Sequence, residues 1–204
     1  MNIIIIDYKI GNIGSIINMI KKIGHKAKLS NDPKEILSAN RFILPGVGAF
    51  DEGMKKLNES GLIPVLRNKV INQKIPILGI CLGMQMLMEK SEEGNSLGLG
   101  WINGKVKKFK FEKNNNLRVP HVGWNTVCPA KTNSIFRGLG GDPRFYFVHS
   151  FYVDCYDSND ALGITNYGHN FVSAVEKKNI FGVQFHPEKS HRFGMKLLKN
   201  FIEL

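Results

Sequence analysis

Short apolar runs and amphipathic segments alternate along roughly the first 90 residues. Ile3–Ile6 is a continuous β-branched run, typical of a strand buried on both faces of a parallel sheet. Isoleucines then recur at helical spacing over residues 13–23, and Gly24 follows where helices commonly end. Asp32 and Pro33 form a typical helix start. This alternation predicts an α/β fold with a mostly parallel open sheet and helices on both faces.

The second half of the chain has a different pattern of short strand-like runs separated by turn residues. The expected strands of the first half lie at residues 3–6, 27–29, 41–44 and 75–80, and its expected helices at 13–23, 33 onward, 54–57, 63–71 and 84–89. The expected strands of the second half lie at residues 101–111, 125–128, 145–153, 161–167, 172–176 and 180–185. Asn114, Asn115 and Asn116 predict a turn, and residues 193–202 a closing helix. We therefore expect residues 1–204 to form one domain with a β-rich antiparallel portion in its second half.

Composition and cysteine usage narrow the class of protein. The hydrophobic share of 43% is ordinary for a globular chain, and the longest apolar start is far shorter than a membrane span of ~20 residues. Cys81, Cys128 and Cys155 are too few for a disulfide framework, which favours a reducing compartment and a cytoplasmic protein.

The net charge of +11 raises the possibility of a nucleic-acid-binding module. The lysines are scattered, however, and no recognition-helix motif or aromatic–basic interleaving accompanies them. We therefore expect no nucleic-acid and no membrane partner, and interpret the charge as a solvated surface or as a surface for an acidic protein.

The segment from Gly79 to Gly83 places Cys81 between a buried strand and a helix. This is the context of a nucleophile elbow, in which a tight turn lifts the nucleophile above the carboxyl end of the strand. The following helix favours a thiolate, and the N–H of Leu82 is placed to donate to an oxyanion. A free cysteine is more often a buried structural residue, but the two glycines and the flanking elements favour a nucleophile.

A nucleophilic thiol needs a base, and His186 is the best candidate because it ends a strand-like run. Glu188 lies two residues further on, so in extended chain its carboxylate is expected to reach the imidazole and orient it. The alternative is that His186 is a hydrogen-bonded histidine of the core and Glu188 a surface glutamate, neither of them catalytic. His121 and His149 have apolar neighbours and suggest structural or substrate-lining roles. No metal-ligand spacing links histidines and cysteines, so no metal or other cofactor is predicted.

The loop from Pro45 to Gly48 follows a short strand and lets backbone N–H groups approach a ligand closely. It lacks the Gly-Lys-Ser/Thr ending of a Walker A loop. We interpret this loop as the source of the second N–H group that donates to the oxyanion, from Val47 or Gly48. The alternative is an ordinary turn between a strand and a helix.

Together these segments resemble the class I (triad) glutamine amidotransferases, and more narrowly the glutaminase subunits of imidazole glycerol phosphate synthases. The motifs that carry the resemblance are 79–85 (Gly-Ile-Cys-Leu-Gly-Met-Gln), 186–188 (His-Pro-Glu), 7–8 (Asp-Tyr), 11–12 (Gly-Asn), 44–50 (Leu-Pro-Gly-Val-Gly-Ala-Phe), 120–125 (Pro-His-Val-Gly-Trp-Asn), 147–150 (Phe-Val-His-Ser) and 182–190 (Gly-Val-Gln-Phe-His-Pro-Glu-Lys-Ser). The resemblance spans nearly the whole chain.

The resemblance implies a Cys81–His186–Glu188 triad that hydrolyses L-glutamine to glutamate and ammonia through a thioester. It also implies that the ammonia passes to a synthase or cyclase subunit, usually a (β/α)₈ barrel, which forms a heterodimer with this chain. Lys189 and His191 are expected at that contact. The residues implied to hold glutamine are Gly46, Gly48, Gln85, Ser150 and Phe151.

Two departures from the common pattern leave the ammonia acceptor open. Lys9 stands where a glycine is usual, and residues 190–195 (Ser-His-Arg-Phe-Gly-Met) replace a more usual Ser-Gly-Glu run. The alternative is a paralogous glutaminase that serves a sugar-amidating synthetase in surface polysaccharide biosynthesis. A cysteine hydrolase or peptidase is a more distant alternative, since it would share the elbow without the Gln85 and His-Pro-Glu combination.

Overall fold

The structure is a computed structural model that describes residues 1–112, 117–131 and 135–204. The turn predicted at Asn114–Asn116 lies outside these residues. The helices are α1 (Ile13–Lys22), α2 (Pro33–Leu37), α3 (Phe50–Glu59), α4 (Ile63–Arg67), α5 (Leu82–Met86) and α6 (His191–Ile202). The strands are β1 (Ile3–Ile6), β2 (Ala27–Ser30), β3 (Arg41–Leu44), β4 (Ile77–Ile80), β5 (Lys90–Ser91), β6 (Gly104–Lys108), β7 (His121–Thr126), β8 (Cys128–Pro129), β9 (Arg144–His149), β10 (Phe151–Cys155), β11 (Ala161–Tyr167), β12 (His169–Lys177) and β13 (Ile180–Val183).

One large sheet runs in the order β2-β1-β3-β4-β13-β12-β10-β6-β5, and β11 pairs with β12 and β8. The strands from β2 to β13 in this order pair in parallel, whereas β12 pairs with β13 and β10 in antiparallel fashion. β7 and β9 form a separate antiparallel ribbon. The predicted combination of a parallel open sheet with an antiparallel second part is therefore confirmed.

Helices cover both faces of the parallel part, as its strand sequences require. Ile4 and Ile6 of β1 point into a core that includes residues of α3, α4 and α5. Ile3 and Ile5 point into the opposite core, against α1 and α6. Successive residues of a strand face opposite sides, so a strand that is apolar throughout must be covered on both.

Local signals in the sequence set several boundaries. The Asp32 side chain accepts a hydrogen bond from the Lys34 N–H and caps α2, with Pro33 in the first position. Gly24 follows the end of α1 with φ +87°, a conformation that glycine adopts at low cost. In the described part of the chain, no helix has the length and apolar character that crossing a bilayer requires.

The boundaries that differ from the predictions depend on contacts distant in sequence. The predicted strand over residues 145–153 is interrupted at Ser150, because β9 pairs with β7 whereas β10 pairs with β6. The helix predicted over 84–89 ends at Met86, since the carbonyls of residues 86–88 accept from the N–H groups of residues 99–102. The helix predicted over 63–71 continues past α4 as a π-helical turn, Asn68–Asn72.

Gly194 on α6 lies against the backbone that carries residues 186–188. A Cβ added there would lie 1.8 Å from the Pro187 carbonyl oxygen, so Gly194→Ala must displace the helix. We expect urea denaturation to show a loss of about 1–3 kcal/mol in the free energy of unfolding. Gly14 on α1 is the matched control, because a Cβ there meets nothing within 4 Å. Gly14→Ala should stabilise the protein by up to about 1 kcal/mol. Equal effects of the two changes would contradict the packing described here.

Candidate active site

Three neighbouring strands bring the predicted site residues to one edge of the sheet. β3 leads into the 45–48 loop, β4 into Cys81 and β13 towards His186. β4 lies between the other two, with Leu44 opposite Gly79 and Val183 opposite Ile80. The carboxyl ends of adjacent parallel strands are where open α/β sheets bind ligands.

The turn at Cys81 has the geometry of a nucleophile elbow. Cys81 has φ 54° and ψ −111°, a strained conformation for a residue with a side chain. Its N–H donates to the Val183 carbonyl at 2.8 Å, which ties the turn to β13. A Cβ on Gly83 would lie 1.9 Å from the Leu44 oxygen, so this position requires glycine. The sequence-predicted strand, turn and helix are all present.

His186 and Glu188 are in contact, although the backbone between them is not extended as predicted. Pro187–Lys189 form a 3-10 turn, which the fixed φ of proline favours at its first position. His186 Nδ1 and Glu188 Oε1 are 2.8 Å apart, and both side chains are buried. Among the described residues, His186 Nε2 has no hydrogen-bond partner, so it is free to exchange a proton with a ligand.

The charge state of His186 depends on its two partners. Burial alone lowers the pKa of His186, but the nearby Cys81 sulfur and the Glu188 carboxylate outweigh it and raise the pKa to about 10. The imidazole is therefore a cation at neutral pH. A cation beside Cys81 is the arrangement that stabilises a nucleophilic thiolate.

The Cys81 sulfur also accepts a hydrogen bond from a residue that the sequence analysis did not assign. Gln184 Nε2 lies 3.6 Å from Sγ, and Gln184 Oε1 accepts from Gln85 Nε2 at 3.0 Å. Gln184 is fully buried. Two signals in the sequence mark Gln184: it belongs to the 182–190 motif of the resemblance, and it lies two residues before His186. Residues two apart in extended chain lie on the same side, so this spacing predicts a side chain beside His186.

A cavity of about 320 Å³ opens above Cys81. Its lining residues are Val47, Gly48, Cys81, Leu82, Gln85, Glu93, Pro120, Val148, His149, Ser150, Phe151 and His186. The size is that of a small-molecule site. The cavity thus collects the predicted nucleophile, base, oxyanion donors and most of the predicted glutamine-binding residues.

Gly46 and Glu188 are predicted site residues outside the cavity wall. Gly46 lies behind the wall, where an added Cβ would come within 3 Å of Gly83 N, the Leu82 Cβ and the Tyr8 hydroxyl. Glu188 lies behind the His186 ring. Both therefore support groups that line the cavity.

The family comparison agrees with this geometry. A model of the family described as "Glutamine amidotransferase class-I" matches residues 4–204. The chain belongs to the class I glutamine amidotransferases.

Relatives of known name match this chain over almost its full length. The imidazole glycerol phosphate synthase subunit HisH 2 of Methanococcus maripaludis is 55% identical over 98% of both chains. The subunit HisH 2 of Pseudomonas aeruginosa is 50% identical over 99% of both, and the subunit HisH of Leptospira interrogans 48% identical over 98% of both.

Solved structures share the fold at lower sequence identity. A crystal structure of a glutamine amidotransferase superposes with a TM-score of 0.76 at 18% identity, over 98% of this chain and 97% of the other. PurLQS from Thermotoga maritima superposes with a TM-score of 0.74 at 17% identity, over 99% and 97%.

Glu93 is a cavity residue that the sequence analysis missed. Its Oε2 accepts from the Phe50 N–H at 2.9 Å, which holds a carboxylate at the wall of the cavity. It lies in a loop without a motif, so nothing local marks it. No described cluster of histidine, cysteine and acidic residues has the geometry of a metal site.

Removal of the Glu188 carboxylate should lower the pKa of His186, because burial then acts with less opposition. We expect the pKa to fall by more than one unit in Glu188→Gln, measured by NMR titration of the imidazole nitrogens between pH 5 and 10. His25, a partly exposed surface histidine, is the internal control in the same spectra. An unchanged pKa of His186 would contradict the proposed influence of Glu188.

Proposed function

We propose that the chain is the glutaminase subunit of an imidazole glycerol phosphate synthase, which hydrolyses L-glutamine to glutamate and ammonia. The observation that carries the proposal is the shared cavity of Cys81 and His186, with Glu188 bound to the far side of the imidazole. The names of the relatives support the assignment to histidine biosynthesis. We further propose that residues 1–204 act as one amidotransferase domain and work in the cytoplasm, where a reactive thiol stays reduced.

In the first half-reaction, the Cys81 thiolate attacks the carbon of the side-chain amide of glutamine. The carbonyl π electrons move to oxygen and form a tetrahedral oxyanion. His186 donates its Nε2 proton to the amide nitrogen, the C–N bond breaks, and ammonia leaves. The product is a thioester on Cys81 and a neutral His186.

In the second half-reaction, neutral His186 takes a proton from water through Nε2. The hydroxide that results attacks the thioester carbon and forms a second oxyanion. When this intermediate collapses, the C–S bond breaks and releases the side-chain carboxylic acid, which loses its proton to solvent and becomes glutamate. The Cys81 thiolate and the His186 cation are then restored, so protons and charge balance over the cycle.

The proposed oxyanion donors are the Leu82 N–H and an N–H of the 47–48 segment. The Leu82 N–H lies in the first turn of α5, where helical N–H groups have no partner within the helix. Gly48 has φ +98°, a backbone conformation that glycine adopts at low cost. These groups belong to two different elements that meet above Cys81.

We propose that the remaining wall binds the amino-acid end of glutamine. Ser150 and Phe151 supply backbone groups, and the Glu93 carboxylate supplies a charge for the α-ammonium group. Gln85 lines the same wall, and its amide nitrogen donates to the Phe151 carbonyl and to Gln184, which fixes the side chain there.

The proposed partner is a synthase subunit with the (β/α)₈ barrel form that the resemblance implies, docked beside the cavity. Apolar side chains are exposed there: Val47, Val122, Trp124 and Val148. Lys189 and His191 border them, and His191 stacks on Trp124 with ring centroids 5.3 Å apart. A sealed contact at this face would carry uncharged ammonia to the partner without protonation in water.

A second candidate differs in the acceptor of the ammonia. Lys9 and His191 occupy positions where the resembling sequences usually have glycine, and both have positive φ, 66° and 46°. His191 therefore adds a side chain to the docking face at a cost in backbone strain. This supports a partner other than the histidine-pathway cyclase, such as a sugar-amidating synthetase.

Cys81→Ala should abolish glutamate release from glutamine, a loss of several orders of magnitude, because members of a triad act as a unit. A coupled glutamate assay with the partner present measures it. Cys128→Ser and Cys155→Ser are the matched controls and should keep near-normal activity. Cys128 is exposed on β8, and burial raises the pKa of Cys155 to about 12. Appreciable activity of Cys81→Ala would show that the nucleophile is another group.

Trp124→Ala should weaken the binding of the partner subunit about tenfold or more, since exposed aromatic anchors dominate interface energies. Titration with a cyclase subunit and its ribonucleotide ligand, followed by glutamate release, measures the affinity. Tyr156→Ala, which removes an exposed aromatic outside this face, is the control. Stimulation by the cyclase supports the histidine pathway. Its absence with an active control cyclase would favour the sugar-amidating alternative.

A further inference from the structure

Two buried histidines that take no part in the proposed chemistry lie directly beside the cavity. We propose that His121 and His149 form a positioning pair, in which a one-way chain of hydrogen bonds fixes the Phe151 carbonyl and with it the glutamine-binding wall. The inference rests on the proposed function, because it concerns how the same cavity holds its substrate.

The chain of contacts is continuous from the ribbon to the cavity wall. His149 Nδ1 lies 2.7 Å from the Phe151 carbonyl oxygen, and His149 Nε2 lies 2.9 Å from His121 Nδ1. His121 Nε2 lies 3.3 Å from Asn125 Nδ2. Both imidazoles are buried, and His149 lines the cavity itself.

Only one placement of protons satisfies all of these contacts with neutral rings. A carbonyl oxygen can only accept, so His149 must carry its proton on Nδ1 and accept at Nε2. His121 must then donate through Nδ1 and accept from the Asn125 amide at Nε2. The orientation of Asn125 is fixed independently, because its Oδ1 accepts from the Thr126 N–H at 2.8 Å and its Nδ2 donates to the Asn166 carbonyl at 2.9 Å.

The surroundings keep both rings neutral. Phe109, Phe147 and Phe171 pack around the pair. Burial lowers the pKa of His121 to about 4 and that of His149 to about 3. The titratable groups near the pair are His169, Tyr152 and Tyr167 in the aromatic cluster and His186 and Glu93 at the cavity.

The pair fixes the Phe151 carbonyl, where two elements of the site meet. The Phe151 carbonyl also accepts from Gln85 Nε2 at 3.3 Å, so it joins the corner between β9 and β10 to α5. The neighbouring Ser150 carbonyl accepts from the Phe109 N–H at 3.0 Å. Both nitrogens of His149 are occupied, so it is a positioning residue and has no free nitrogen for base catalysis.

NMR of the free wild-type chain tests the pair without any activity assay. Two-dimensional spectra of ¹⁵N-labelled imidazoles should assign both rings as neutral Nδ1–H tautomers that do not titrate between pH 5 and 8. A proton on Nε2 of His149, or titration of His149 in this range, would overturn the proposal whatever the chain's activity.

Substitutions test the consequence for glutamine. His149→Leu should raise the KM for glutamine about fivefold to tenfold, the worth of one hydrogen bond, with a smaller change in kcat. His149→Asn places an amide N–H near the position of Nδ1 and should return the KM to within about twofold of the wild-type value, since the bond to Phe151 is restored.

His169→Leu is the matched control, because His169 lies in the same aromatic cluster and its Nε2 has no partner among the described residues. It should leave the KM for glutamine unchanged. Equal KM increases for His149→Leu and His169→Leu, or no recovery in a folded His149→Asn protein, would overturn the positioning role. A wild-type chain that is inactive with its partner would instead contradict the proposed function, and the NMR result would then decide the pair alone.

Discussion

The close approach of three backbone segments around Cys81 is the constraint on which the site depends. Gly83 lies so close to the Leu44 carbonyl that no side chain fits, and Gly46 packs against the same helix start. This contact holds the 45–48 loop above the thiol, whereas the bond from the Cys81 N–H to Val183 holds β13, and so His186, on the other side. The strained φ of Cys81 costs about 1–3 kcal/mol and persists because both neighbours fix it.

Burial lowers the pKa of His186 and neighbouring negative charge raises it. The balance determines whether the imidazole beside Cys81 is a cation. A buried imidazole would be neutral without its partners, and the thiol beside it would lack a cation. The Cys81 sulfur and the Glu188 carboxylate together reverse that outcome from inside the protein, where they are screened little by solvent. The position of Glu188 beside His186 therefore depends on the Pro187–Lys189 turn, which α6 holds through the close packing of Gly194.

The parallel half of the fold could be predicted from sequence because its signals are local. Apolar strands, helical periodicity, Asp32 and Gly24 each act within a few residues, and the elbow at Cys81 combines such signals. The break at Ser150 could not be predicted, since strand formers on both sides of it pair with different partners. Glu93 and Gln184 were missed for a similar reason: their roles arise from contacts with Phe50 and Cys81, distant in sequence.

The β7–β9 ribbon connects the outer surface of the protein with its cavity. Its register pairs His121 with His149 and Val122 with Val148, so residues facing the site alternate with residues facing solvent. The inward residues fix the Phe151 carbonyl, whereas the outward ones form the apolar face proposed for the partner. A subunit that docks on this face therefore contacts the same ribbon that carries His149 of the cavity wall. Any shift of the ribbon on docking must change the bond from His149 to Phe151, since β7 and β9 carry both sets of side chains.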